Sequence, residues 1–138
     1  MVSHKDKIQA EMANIEKILE ELIKVKDRKP KEAVVLAGIG GFLASIYNGM
    51  ENILKQLVTS RGISLPQGPT WYKDLLNLSI EQGFITAATG ENIGRYLFIR
   101  HFYSHGYGFQ IDEAKLMPLV HRILDDYLAF KKEVGKFL

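Results

Sequence analysis

The segment "RYLFIRHFYSHGYGFQID", residues 95–112, concentrates side chains that could bind phosphate and transfer protons. Arg100 is followed directly by His101 and, five positions on, by His105. Histidine exchanges protons near neutral pH, and the planar guanidinium of arginine binds a phosphate through two parallel hydrogen bonds. Cleavage of an RNA phosphodiester needs a base for the 2′-hydroxyl proton, an acid for the leaving oxygen and a cation for the phosphorane. These residue types could supply all three.

The same segment is also typical of an ordinary helix end. Basic side chains interact favourably with the negative end of the helix dipole, Gly106 or Gly108 could cap the helix, and the aromatic residues could pack in the core. On a straight helix, residues five apart point about 140° from each other. Arg100 and His105 therefore converge only if the helix ends or bends beside them, which the two glycines allow. The residue types alone leave both interpretations open.

Helical periodicity predicts the elements that must position these side chains. From Ser3 to Lys29, one apolar stripe is formed by Ile8, Met12, Ile15, Leu19 and Leu22. A second helix is predicted within residues 31–62 and a short one within residues 70–83, after the loop "ISLPQGP". A fourth begins near Asn92, and a fifth begins near Asp112. The sequence thus predicts an all-α fold, an antiparallel helical bundle of four longer helices plus one short helix.

The composition fits one compact domain over residues 1–138, with 46% hydrophobic and 25% charged residues. The formal net charge of +2 provides no strong field for polyanions, so RNA affinity would have to come from local clusters. The absence of cysteine excludes disulfides and thiolate metal sites and favours a reducing compartment, the cytoplasm. We predict no signal peptide, no membrane span of ~20 apolar residues and no metal site, because no carboxylate and histidine cluster has convincing ligand spacing.

Several other residues invite a functional interpretation that we weigh against a structural one. Glycines within the second helix, among them Gly38 and Gly49, are predicted to permit close helix packing rather than to bind phosphate. Tyr47, Asn48 and Glu51 are more typical of a polar edge beside the core, although support of the site across the bundle is the alternative. The pair Trp71 and Tyr72 could stack a base, but more often such a pair anchors a short helix. Tyr47, Asn48 and Glu51 lie in the predicted second helix, and Trp71 and Tyr72 lie at the start of the predicted third helix.

Arg100-His101-x-x-x-His105 resembles the R-x4-6-H signature of the HEPN superfamily of ribonucleases, in which Asn, Asp or His commonly follows the arginine. Gly106 and Tyr107 extend the motif to R-x4-H-x-Y, which resembles the HepT branch, the toxin half of HEPN/MNT toxin–antitoxin systems. The length, the helix order, the long loop before the short helix and "SIYNGMENILK" in the second helix are also similar to HepT proteins. The resemblance covers about residues 8–134.

The resemblance implies a single HEPN domain that forms a two-fold homodimer and acts as a metal-independent endoribonuclease on transfer RNA or messenger RNA. It assigns Arg100 and His105 as the catalytic pair, His101 as a supporting polar residue, and Tyr107 as the residue that receives AMP. The modifying partner would be a nucleotidyltransferase antitoxin that uses ATP as AMP donor, and the toxin itself would need no cofactor. The system would be type VII-like.

Two other classes of function remain open at this stage. One is a non-catalytic HEPN substrate-binding subunit that pairs with a nucleotidyltransferase, and the other is a helical bundle of purely structural role. The presence of both Arg100 and His105 favours the ribonuclease, since a subunit that only binds substrate has no need of both residues.

Overall fold

The computed structural model describes residues 2–29, 32–104 and 112–138, which form helices and loops without a strand among them. The helices are α1 (His4–Val25), α2 (Ala33–Ser60), α3 (Trp71–Glu81), α4 (Ala87–Gly94), α5 (Leu97–Ser104) and α6 (Glu113–Val134), with a final 3-10 turn at Gly135–Phe137. The prediction of an all-α fold is confirmed. If α4 and α5 are counted as one interrupted segment, the predicted set of four longer helices and one short helix is also found.

α1 and α2 pack antiparallel along most of their length. The ring of His4, at the start of α1, lies 2.6 Å from the side-chain oxygen of Gln56, near the end of α2. Farther along α1, Glu11 accepts a hydrogen bond from Asn52, which lies earlier in α2. Ser3 caps α1 by accepting a hydrogen bond from the backbone N–H of Asp6, as the sequence predicts. The order of these contacts shows that the two helices run in opposite directions.

A glycine sets the distance between α1 and α2. A Cβ atom added at Gly49 would lie 2.6 Å from Cγ1 of Ile15, closer than side chains pack. The prediction of close helix packing is therefore confirmed at Gly49. It does not extend to Gly38, where an added Cβ would meet no atom within 4 Å.

The core residues of α1 and α6 follow the predicted stripes. All five residues of the α1 stripe are buried. α6 begins after Asp112, whose side chain accepts a hydrogen bond from the N–H of Ala114. Helical periodicity in the sequence predicts six inward residues for this helix, and all are buried: Leu116, Leu119, Ile123, Tyr127, Phe130 and Val134. Periodicity predicts these two helices well because each has one apolar face.

The fourth helical segment begins earlier than predicted and is interrupted. Thr86 accepts a hydrogen bond from the N–H of Thr89 and thereby starts α4 at Ala87 rather than near Asn92. The helix breaks at Arg95 and Tyr96, before α5. Tyr96 is fully buried, and its hydroxyl donates a 2.7 Å hydrogen bond to Oδ2 of Asp126 in α6. This contact fixes the start of the helix that carries Arg100.

α2 is the main apolar helix of the fold. By length and composition it could cross a membrane, the one helix to do so in the parts of the chain that the structure describes. The expectation that no stretch is long and apolar enough for a span was therefore too strict. The same property is found in core helices of soluble proteins, and α2 carries buried residues along its length, among them Ile39, Leu43 and Leu54.

Candidate functional site around Arg100

Arg100 lies in α5 and points its guanidinium at α2. Its Nε atom is 3.5 Å from Oε2 of Glu51, and three quarters of the Arg100 side chain is removed from solvent, with 25% still exposed. α5 thus presents a cation that is held by the core helix yet remains accessible. A partly exposed, fixed guanidinium is suited to binding a phosphate.

Glu51 is a buried carboxylate, with only 5% of its side chain exposed. Burial raises the pKa of Glu51 above its ordinary value, although the positive charges of Arg100 and Lys55 oppose this rise. Lys55 follows one turn later in α2, with its ammonium 3.8 Å from Oε1 of Glu51. Two cations, Arg100 and Lys55, therefore share the Glu51 carboxylate. This cationic cluster retains positive charge for an anionic ligand even when Glu51 is ionised.

Two aromatic rings at the start of α3 complete the surroundings of Arg100. The guanidinium carbon lies 4.9 Å from the ring centre of Trp71 and 5.6 Å from that of Tyr72. The ammonium of Lys55 lies 4.5 Å from the Trp71 ring centre. These are cation–π distances, which favour the charged side chains in this orientation. Trp71 thus contacts both cations of the cluster.

Tyr47 lies one turn before Glu51 and is 1% exposed. Burial, reinforced by the negative charge of Glu51, raises the pKa of the Tyr47 phenol well above its ordinary range, so that it stays neutral. The Tyr47 hydroxyl, Oε2 of Glu51 and Nε of Arg100 are all buried and are one another's neighbours: Glu51 pairs with Arg100 at 3.5 Å, and the Tyr47 phenol interacts with the Glu51 carboxyl. Three polar groups thus converge inside an apolar core, which is an arrangement more typical of a functional site than of plain packing.

The structure places only part of the predicted site. Arg100 is described in full, and His101, the adjacent residue in α5, is exposed. His105 and Tyr107 lie outside the described residues, as do Gly106 and Gly108. The convergence of Arg100 with His105 therefore stays a prediction.

Glu51 and Lys55 are site residues that the sequence interpretation missed, since it favoured a polar edge for Glu51 and assigned no role to Lys55. Glu51 is not at a polar edge of the core but buried within it, and the alternative of support across the bundle describes its contact with Arg100. A signal was present in the sequence. A carboxylate and an ammonium lie one turn apart in α2, which is mostly apolar, and a charge on a core helix needs a partner.

Taken together, the described part of the site is a cationic cluster backed by a buried acid and bordered by two aromatic rings. It could hold a phosphate and stabilise charge that develops on it. In the described ranges there is no group of three or more histidine and carboxylate residues arranged to hold a metal ion.

A family model described as "HepT-like protein" matches residues 38–138. The match covers most of the chain, including Glu51, Trp71 and the complete R-x4-H-x-Y segment, while α1 precedes it. The chain therefore belongs to the HepT-like family of the HEPN superfamily. Comparison with curated proteins and with solved structures gave no match.

Proposed function

We propose that this HepT-like protein is a toxin-type endoribonuclease that cleaves cellular RNA, transfer RNA or messenger RNA, without a metal ion in the cytoplasm. The observation that carries the proposal is Arg100. It is the first residue of the R-x4-H segment, and its guanidinium is held between the buried Glu51 carboxylate and the Trp71 ring. A plain helix end would leave an arginine in solvent and would not need a buried acid beneath it.

In the proposed reaction, His105 accepts the proton of the RNA 2′-hydroxyl as its oxygen attacks the adjacent phosphorus. The bond to the 5′-oxygen of the next nucleotide breaks, and a protonated imidazole donates a proton to that oxygen. The products are a 2′,3′-cyclic phosphate, which water can open to a 3′-phosphate, and a 5′-hydroxyl. Arg100 stabilises the charge on the phosphorane, and His101 supports the pair.

We further propose a two-fold homodimer, because one protomer offers few proton-transfer groups and a two-fold axis could bring both copies of Arg100 and His105 into one cleft. Its partner would be a nucleotidyltransferase antitoxin. The antitoxin would transfer AMP from ATP to Tyr107. In this reaction the Tyr107 phenol oxygen bonds to the α-phosphorus of ATP, pyrophosphate leaves, and the phenol proton passes to a base or to water. The toxin needs no cofactor of its own.

The experiment is cleavage of total RNA and of purified transfer RNA by the full chain in excess chelator. We expect cleavage with cyclic phosphate or 3′-phosphate ends, and a loss of ~10²- to 10⁴-fold in His105→Ala with the fold intact by circular dichroism. A strict requirement for magnesium would overturn the mechanism. A chain that binds a nucleotidyltransferase but neither cleaves RNA nor arrests growth when expressed alone would instead be the non-catalytic substrate-binding subunit.

A further inference from the structure

A cavity of about 420 Å³ lies beside the cationic cluster. It is lined by residues 65–68 of the loop before α3, by Lys55 of α2, and by Trp71 and Leu75 of α3. Most of the lining is apolar. Lys55 and the amide of Gln67 are the polar side chains among the lining residues, which is the arrangement typical of small-ligand pockets.

The cavity and the cationic cluster share two side chains. Trp71 lines the cavity and also lies 4.9 Å from the Arg100 guanidinium, while Lys55 lines the cavity and also contacts Glu51. A ligand in the cavity would therefore lie against the same ring that Arg100 contacts. A nucleotide has this layout, with a flat base whose faces can pack on apolar side chains, joined through its sugar to an anionic phosphate.

The loop that forms one wall of the cavity has a restricted backbone. Pro66 and Pro69 each fix one backbone dihedral, and Gly68 adopts φ +102, which other residues rarely do. The carbonyl of Gly68 accepts a hydrogen bond from the N–H of Trp71, which ties the loop to the start of α3. The wall is thus formed before a ligand arrives, and binding does not need to order it.

We propose that this cavity is a base-binding subsite for an unpaired nucleotide of RNA, with the adjoining phosphate at Arg100 and Lys55. This inference rests on the proposed function for the nature of the ligand. Trp71 provides aromatic contact for the base, and the Gln67 amide can donate to and accept from a base edge. Bases of a duplex are stacked and paired, so only single-stranded segments, loops or bulges could enter. The chain would therefore select unpaired RNA.

The first test uses binding rather than cleavage. Full-length His105→Ala protein is titrated with a fluorescently labelled short oligoribonucleotide, with the same strand in a duplex, and with a strand that carries one abasic position. Trp71 is the only tryptophan of the chain, so its fluorescence reports directly on occupancy of the cavity. We expect the single strand to bind and to quench Trp71, and the duplex and abasic strands to bind more weakly with little quenching.

The second test uses variants in the same background. Loss of one base–aromatic contact weakens binding by about 5- to 100-fold, which is the effect expected for Trp71→Ala, while Trp71→Phe retains most of the affinity. Because Trp71 also contacts Arg100, Gln67→Ala on the exposed loop is the second variant, with altered preference among bases and unchanged thermal stability. Lys73→Ala, an exposed α3 residue outside the cavity lining, is the control and should bind as the parent does.

The outcomes separate this inference from the proposed function. Binding with Trp71 quenching by a chain that cleaves no RNA would remove the ribonuclease proposal and retain the base subsite. Cleavage by a chain that binds duplex, abasic and single-stranded RNA equally would remove the subsite and retain the ribonuclease. Cavity variants that lose binding to a protein partner but keep RNA affinity would assign the cavity to that protein and overturn the inference.

Discussion

Arg100 in α5 and Glu51 in α2 form a long ion pair, with 3.5 Å between Nε and Oε2, although they lie far apart in the sequence. The Glu51 carboxylate is buried and the Arg100 guanidinium is partly exposed. The ion pair holds the guanidinium on its core-facing side and leaves its solvent-facing side for a ligand. Arginine can serve both contacts because its planar group has donors on three nitrogens.

The first prediction concerns Glu51→Gln and stability. Burial raises the pKa of Glu51 in the folded protein above its ordinary value. The folded state therefore gains stability from the protonated Glu51 carboxyl. This gain is complete below the ordinary glutamate pKa and is lost as pH rises through the raised pKa. A glutamine side chain does not titrate, so the variant does not lose stability in this way. We therefore expect the free energy of unfolding of the variant, relative to wild type, to rise between acid and neutral pH in urea titrations. Glu91→Gln is the control, since it makes the same substitution at a carboxylate that is 76% exposed. A variant that loses relative stability with rising pH would contradict this.

The same substitution should separate stability from activity. Without the charge on Glu51, Arg100 loses its ion pair, and misplacement of a catalytic group can lower a rate by ~10- to 100-fold. We expect that loss in RNA cleavage under single-turnover conditions. Equal cleavage by Glu51→Gln and Glu91→Gln would show that the ion pair does not position Arg100.

The second prediction concerns Arg100→Lys. A lysine ammonium keeps the charge but lacks the planar group that lies over Trp71 and Tyr72 and the fork that binds two phosphate oxygens. We expect cleavage to fall by about 10²-fold. Arg95→Lys is a matched control, because Arg95 is more exposed and bonds to Asn92 outside the cluster. Near-wild-type cleavage by Arg100→Lys would refute the role of the guanidinium.

The third prediction tests the shared site of the proposed homodimer. Arg100→Ala and His105→Ala proteins are each expected to be inactive alone. If a two-fold cleft uses Arg100 and His105 from different chains, each heterodimer formed on mixing the two variants regains one intact pair, and part of the wild-type cleavage returns. Light scattering at the assay concentration measures the dimer. A fully active monomer would end the dimer proposal.

The fourth prediction concerns Tyr107. AMP on this tyrosine would place a bulky nucleotide and a negative phosphate two residues from His105, where the phosphate competes with RNA for Arg100. Tyr107→Phe keeps the ring but removes the acceptor oxygen. We expect this variant to cleave RNA and to escape inactivation by the nucleotidyltransferase and ATP. Intact mass should rise in multiples of AMP for wild type alone, and equal labelling of the variant would place the modification elsewhere.

The fifth prediction concerns packing between α1 and α2. Gly49→Ala forces a methyl group against Ile15 and should destabilise the fold by about 1–3 kcal/mol, the usual range for overpacking. Gly38→Ala is the opposite case, since its methyl group meets no atom within 4 Å and alanine favours the helix by about 1 kcal/mol. Urea unfolding of the two variants should give shifts of opposite sign. Equal stability would contradict the close approach.

The features predicted from the sequence are those with a short-range physical cause. The stripes of α1 and α6 follow from helical periodicity, and the cap at Ser3 follows from a local side-chain hydrogen bond. The R-x4-H segment is contiguous and identified Arg100 as a candidate. These signals need no knowledge of how the helices pack.

The features that sequence alone did not predict depend on contacts between distant elements. The contact of Glu51 with Arg100 requires α2 and α5 to pack face to face, and the break before α5 accompanies Tyr96 bonding to Asp126. The cavity beside Trp71 likewise arises from the meeting of α2, the loop and α3. Periodicity assigns a residue to a face of its own helix but not to a partner across the core.

The placement of Glu51 and Lys55 on the central core helix has a consequence for genetic selections. One helix, α2, carries both the acid beneath Arg100 and the glycine that seats α1, with buried residues on either side. In a screen for cells that survive this protein, substitutions in α2 would be recovered for two reasons, a disabled site or a chain that no longer accumulates. Survivors at Arg100 and survivors at Gly49 would look alike on a plate. Immunoblotting for the amount of soluble protein in each survivor would sort them.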